Sequence, residues 1–179
     1  MLPTLLLSKF LTGMLLVPAS SQAPGKVSPA AISKPVPQAT TIAGPTVTPA
    51  VITFLATDPD GSPVVSGSSG AVISWSTAGS VLGAWTLKVN APATFGSCPT
   101  VPVSAVTVSC GSVTGGFGGA CSGNSSLSTT PTQVAGGTEG LLGFGSAFTV
   151  NLTFTLADSW KYIASSLCSL SVTYTITAN

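Results

Sequence analysis

Between residues 148 and 156 the chain alternates without a slip. Phe148, Val150, Leu152, Phe154 and Leu156 are apolar, while Thr149, Asn151, Thr153 and Thr155 are polar. Successive side chains on a strand point to opposite faces, so this stretch reads as a strand with one buried and one solvated face. The C-terminal stretch repeats the pattern. Cys168, Leu170, Val172, Tyr174 and Ile176 fall on one face, with Ser169, Ser171, Thr173, Thr175 and Thr177 on the other. Ala71, Ile73, Trp75 and Thr77 alternate with their neighbours, as do Trp85, Leu87 and Val89 with Thr86, Lys88 and Asn90. A first strand over 51–57 stops at Asp58-Pro59-Asp60-Gly61, residues suited to a turn. Residues 101–109 read as a strand with a bulge at Ser104-Ala105, and 111–120 as a Gly-rich loop. Residues 127–135 read as a weaker edge strand, because Pro131 lacks a ladder donor. Only 157–164 offers one helical turn, with Asp158 or Ser159 as its cap. Seven or eight short strands with turns at this spacing predict an all-β protein, an antiparallel immunoglobulin-like β-sandwich.

Three segments follow. Residues 1–23 have the form of an export signal, with Lys9, an apolar run over 10–19, and small residues at Ala19, Ser21 and Ala23 where cleavage is plausible. A retained membrane anchor is disfavoured, since Lys9 splits the apolar stretch, Pro18 disturbs a helix, and a span needs about 20 apolar residues. Residues 24–50 carry six prolines among Ala, Ser, Thr and Val, the composition of an extended linker. Residues 51–179 have the length of one domain. No second run is long enough to cross a bilayer, so the mature chain is expected to be secreted or displayed at a cell surface, without a transmembrane segment.

The chain has no His and no Arg, and only nine charged side chains in 179 residues. They are Lys9, Lys26, Lys34, Lys88, Lys161, Asp58, Asp60, Glu139 and Asp158. Acid–base catalysis near neutral pH draws first on His. A Ser–Lys pair using Lys88 or Lys161, or an Asp58–Asp158 carboxylate pair, would be needed instead, and neither sits in a motif. The expectation is a non-enzyme with no cofactor. A net charge near zero excludes a nucleic-acid binder, which needs a basic patch.

Cys98, Cys110, Cys121 and Cys168 are an even set in an exported chain, so two disulfides are expected. Without His or Cys-x-x-Cys spacing, zinc is a poor alternative. If 101–109 is extended, Cys98 and Cys110 stand too far apart to pair. Two connectivities remain: Cys110–Cys121 with Cys98–Cys168, preferred because the first closes the Gly-rich loop, or Cys98–Cys121 with Cys110–Cys168.

Three further groups carry candidate chemistry. Asp58 and Asp60 could offer carboxylates to Ca²⁺, joined by Asp158 or Glu139, although Asp, Pro and Gly are also what a plain turn requires. Trp160 and Tyr162 could stack on sugar rings; the ordinary alternative is a plug closing one end of the sandwich. Trp75 and Trp85 fall on inward positions and read as core. The threonines at 149, 153 and 155 and at 173, 175 and 177 would form a hydroxyl array able to bind ordered surfaces if their strands were adjacent; alone, they are a solvated strand face. Asn124-Ser-Ser and Asn151-Leu-Thr match the glycosylation pattern.

The strings ATDPDGSP, SWST, WTLKV, CPTVPVSAVTVSC and FTLADSWKYIA, followed by a Thr-rich last strand, resemble a group of uncharacterised secreted bacterial proteins over nearly all of 51–179. The resemblance implies a bacterial extracytoplasmic protein and transfers no activity. A fainter similarity, through Trp85, Leu87, Val89 and Tyr174, is to bacterial surface and fimbrial β-sandwiches. The function expected is structural or adhesive, with self-assembly or other surface proteins as partners. Strand donation by residues 40–51 is one route, although Pro45 and Pro49 oppose it. The alternative is a module binding carbohydrate or another surface polymer through Trp160 and Tyr162.

Overall fold

The computed structural model describes residues 40–55, 58–79, 83–140, 145–162 and 167–178. The expected signal, its cleavage sites and the linker up to residue 39 lie outside them. Every strand described below lies within one compact unit, Val36–Asn179. Among the described residues no helix is long and apolar enough to cross a membrane.

The fold is all-β and antiparallel, with twelve strands among the described residues where the sequence suggested seven or eight. They are β1 (Thr41–Thr48), β2 (Val51–Leu55), β3 (Val64–Ser66), β4 (Ala71–Ala78), β5 (Ala84–Asn90), β6 (Val106–Thr114), β7 (Phe117–Cys121), β8 (Asn124–Ser126), β9 (Thr132–Thr138), β10 (Ser146–Ala157), β11 (Leu167–Ser171) and β12 (Thr173–Ala178). A front sheet has the order β1-β4-β10-β6-β8, with β3 also paired to β10. A back sheet has the order β12-β5-β9-β7, and β11 and β2 form a separate pair.

The alternation seen in the sequence does the folding work. Every apolar residue of β10 from Phe148 to Leu156 is buried, against Ile73 and Trp75 of β4 on one side and Val106 and Val108 of β6 on the other. Leu87 and Val89 of β5, Val134 of β9 and Leu170 of β11 close the core from the other layer. Trp85 of the back sheet meets Trp75 edge-on at 4.9 Å and Phe148 at 5.0 Å, so both tryptophans are core as expected. Such aromatic pairs add about 0.5–1.5 kcal/mol each beyond their buried area.

Several elements depart from expectation. Thr41–Thr48, read as the end of the linker, is an edge strand paired along β4, anchored by Ile42 and Val47. Its one proline, Pro45, is tolerated because an edge strand needs only one row of ladder bonds and the register shifts there. Residues 103–105 form a single 3-10 turn, so the strand begins at Val106 rather than 101 and the expected bulge at Ser104-Ala105 is a turn. The Gly-rich stretch is not an open loop. It completes β6, turns a corner at Gly115 and Gly116, and starts β7 in the other sheet. Pro131 precedes β9 instead of breaking it, and β9 lies between β5 and β7, not at an edge. The last strand is two, because the chain changes partner at Val172 from β2 to β5. Residues 158–162 form turns without a helix.

The disulfides are Cys98–Cys168 and Cys110–Cys121, each with Cα atoms 5.4 Å apart. The first ties the loop after β5 to β11. The second links β6 to β7, and so staples the front sheet to the back sheet at one margin. In the chain-entropy model loops of 70 and 11 residues stabilise by about 4 and about 3 kcal/mol.

Candidate functional site

Charged side chains are scarce, and the fold collects most of those in the domain at one end. The turn after β2 is held by the Asp58 carbonyl, which accepts from the Gly61 and Ser62 amides at 3.0 and 2.7 Å. Asp58 Oδ1 accepts from the Asp60 amide at 3.0 Å, an Asx-type closure. The chain then enters β3, whose Val64 is the register partner of Ala157 at the end of β10. The Asp158 amide donates to the Pro63 carbonyl at 3.0 Å, so the turn at 58–63 and the turn leaving β10 are physically joined.

That second turn is tightly wound. Asp158 Oδ1 accepts from the Ser159 amide at 2.8 Å, and the Tyr162 amide donates to the Ser159 carbonyl at 2.9 Å. The winding pushes Trp160 outward. Its side chain is 68% exposed, whereas Tyr162 leans on the core. Burial, with a smaller contribution from the Asp158 carboxylate, raises the Tyr162 phenol above its ordinary pKa. The expected plug therefore splits: Tyr162 packs and Trp160 does not.

Apolar side chains surround this end. Leu55 of β2 and Leu167 of β11 are register partners on the outward side of their pair, 48% and 60% exposed. The Ser68 amide donates to the Thr53 carbonyl at 2.7 Å, which sets β2 alongside the segment following β3. Leu167, Leu55 and Val64 thus lie on successive neighbouring segments, and Trp160 follows from the next. Of the seven large apolar side chains exposed among the described residues, these four share one end. Grouped apolar exposure rimmed by polar residues is the mark of an interaction surface.

The other sequence candidates are placed as follows. Among the described residues no group of three or more His, Cys, Asp or Glu gathers to hold a metal ion. Asp58 and Asp60 serve a turn, and Glu139, weighed as a further ligand, lies outside this end. It follows β9, its amide bonded to the Gly83 carbonyl, and it is buried at 1% exposure. Neither of its carboxylate oxygens has a hydrogen-bond partner. Thr77 is the other buried polar side chain among the described residues. Past the register shift in β9, Ala135, Gly137 and Glu139 continue the inward alternation, so the place of that shift in the pairing with β5 turns Glu139 inward. Lys88 sits on the outward side of the back sheet between Thr175 and Gln133, and Lys161 in the exposed turn beside Trp160. The two threonine rows belong to different sheets, 149, 153 and 155 to β10 and 173, 175 and 177 to β12. Each row nevertheless has polar neighbours of its own, such as Thr86 hydrogen-bonded to Thr177 at 2.6 Å.

No protein family, no curated protein and no solved structure matches the chain.

Proposed function

We propose that the protein is a non-enzymatic structural or adhesive domain, secreted or held at a cell surface, that acts through contact rather than turnover. The observation carrying this is the set of exposed apolar side chains Leu55, Val64, Trp160 and Leu167 at one end, beside the turns that hold Asp58, Asp60 and Asp158, in a domain with few charges elsewhere. Low charge removes the repulsion that keeps soluble domains apart, which favours assembly or adsorption. Two disulfides suit an oxidising compartment. Strand donation by residues 40–51 has less support than contact through this end, because Thr41–Thr48 already fills the edge beside β4 of its own sheet.

A second reading, a carbohydrate-binding module, is favoured by the exposure of Trp160. Tyr162 adds only a partly covered ring to it.

The test uses the intact oxidised chain in sedimentation velocity and in retention on isolated cell envelopes. Concentration-dependent association or retention is expected, reduced several-fold by Leu55→Ser and Leu167→Ser. A native chain that stays monomeric and is not retained would sink the proposal.

A further inference from the structure

The outward face of the front sheet is an uncharged, mostly polar field, with Val72 beside Asn151 and Val64 beside Ala157 as its exposed large apolar side chains. No residue in β1, β3, β4, β6, β8 or β10 is charged. One row, Thr46–Ser74–Thr149–Thr114, crosses four strands. Another, Ser66–Thr155–Thr107–Ser126, crosses β3, β10, β6 and β8. Such rows repeat about every 4.8 Å across the strands and about 6.8 Å along them. Bonds between strands hold the side chains in place: Ser74 Oγ with Thr149 Oγ1 at 3.1 Å, and Asn151 Nδ2 donating to Ser112 Oγ at 2.8 Å. A hydroxyl that makes one such bond keeps capacity for another partner. The back sheet differs, since Lys88 stands in the middle of its outward face.

The central strand of this field runs out directly into the turn that carries the exposed Trp160. Neutral hydroxyl and amide groups in fixed rows, ending at an open indole, match a ligand that is uncharged, extended, rich in hydroxyls and able to offer an apolar ring face. A charged polymer would find no counter-charge on the field itself; the charges stand beyond it, in the turns at the Trp160 end that hold Asp58, Asp60, Asp158 and Lys161. We propose that a neutral polysaccharide lies along the outward face over β10, with a sugar ring packed on Trp160. This rests on the adhesive reading and names what the domain adheres to.

The test is depletion of the intact chain from solution by insoluble cellulose and by chitin, with alginate beads as a charged comparison. Variants are Ser76→Glu with Thr153→Glu on the front face, both at exposed positions, Trp160→Ala at its end, and Thr175→Glu on the back face. Depletion by a neutral polymer is expected. The front-face pair should weaken it by about tenfold or more, equivalent to about 1.4 kcal/mol. Trp160→Ala should also weaken it, and Thr175→Glu should not. Thermal melts monitored by circular dichroism accompany each variant, and Ser76→Lys with Thr153→Lys repeats the front-face change with the opposite charge. No depletion by either neutral polymer overturns the proposal, as does full binding by both front-face pairs. If Trp160→Ala alone abolishes binding, the contact belongs to the apolar end and the face assignment falls. A chain that self-associates or adheres to envelopes yet ignores both polymers would keep the adhesive reading and lose this one.

Discussion

Glu139 is the residue most at odds with its surroundings. A carboxylate buried without a hydrogen bond forfeits its hydration and gains nothing in exchange. Replacing it by an unbranched apolar side chain, Glu139→Met, is expected to raise stability by about 1–3 kcal/mol in urea unfolding. A loss of stability instead would mean that the carboxylate meets a partner in solution. Tyr174 poses a related question, since its buried hydroxyl has no partner. Burial pushes its phenol well above the ordinary value of 10.0. Above pH 10 the unfolded tyrosine loses its proton while the folded one keeps it, so the folded state binds more protons and stability falls as pH rises. Below pH 10 this contribution is fully present. Tyr174→Phe should therefore flatten the loss of stability measured between pH 10 and 11, leaving the smaller share due to Tyr162. At this scale the sequence placed Trp75 and Trp85 correctly, because alternation fixes the face. It could not place Trp160, because a turn has no period and its winding decides where a ring points.

Among the elements, the corner from β6 to β7 depends most on residue type. Gly115 has φ +89°, and a Cβ there would collide with the Ala147 carbonyl oxygen. Gly115→Ala should cost about 2–4 kcal/mol, from left-handed backbone strain plus overpacking against β10. Gly44, in the bulge of β1, has φ +61° and open space around its Cβ position. Gly44→Ala should cost only the strain, about 1–2 kcal/mol, and thermal melts of the two variants give the comparison. Strands with clean alternation were legible: β4, β5 and β10 fall within a residue or two of their expected bounds. β1 was not, since Gly44 and Pro45 within it and Pro49 just after it give the stretch the composition of a linker, and it becomes a strand only by pairing with β4. The break at Val172 was equally hidden. Alternation continues through it, and only the presence of two different partner strands divides β11 from β12.

For the whole molecule, β1 sets a limit on truncation. A chain beginning at residue 51 leaves the edge of β4 unpaired and uncovers the core beside Ile42 and Val47. It should melt lower than the full chain and associate through the open edge, which scattering during a thermal ramp would detect. If it matches the full chain, β1 is dispensable to the fold. The sequence by itself determined the all-β class, the sandwich and the inward residues of the long strands, and it narrowed the disulfides to two pairings without deciding between them. It did so because side-chain alternation is a local property with a period of two, and because cysteine reach follows from chain length. The expectation about reach held although part of its basis did not, as residues 103–105 turn instead of extending. Only the tertiary structure decided which strands become neighbours. Neighbours in turn decided that four distant apolar residues share one end, that the β10 threonines stand in rows with Ser74 and Thr114, and that Glu139 is enclosed. Each of these depends on residues far apart in the chain meeting across sheets, and no local pattern encodes that.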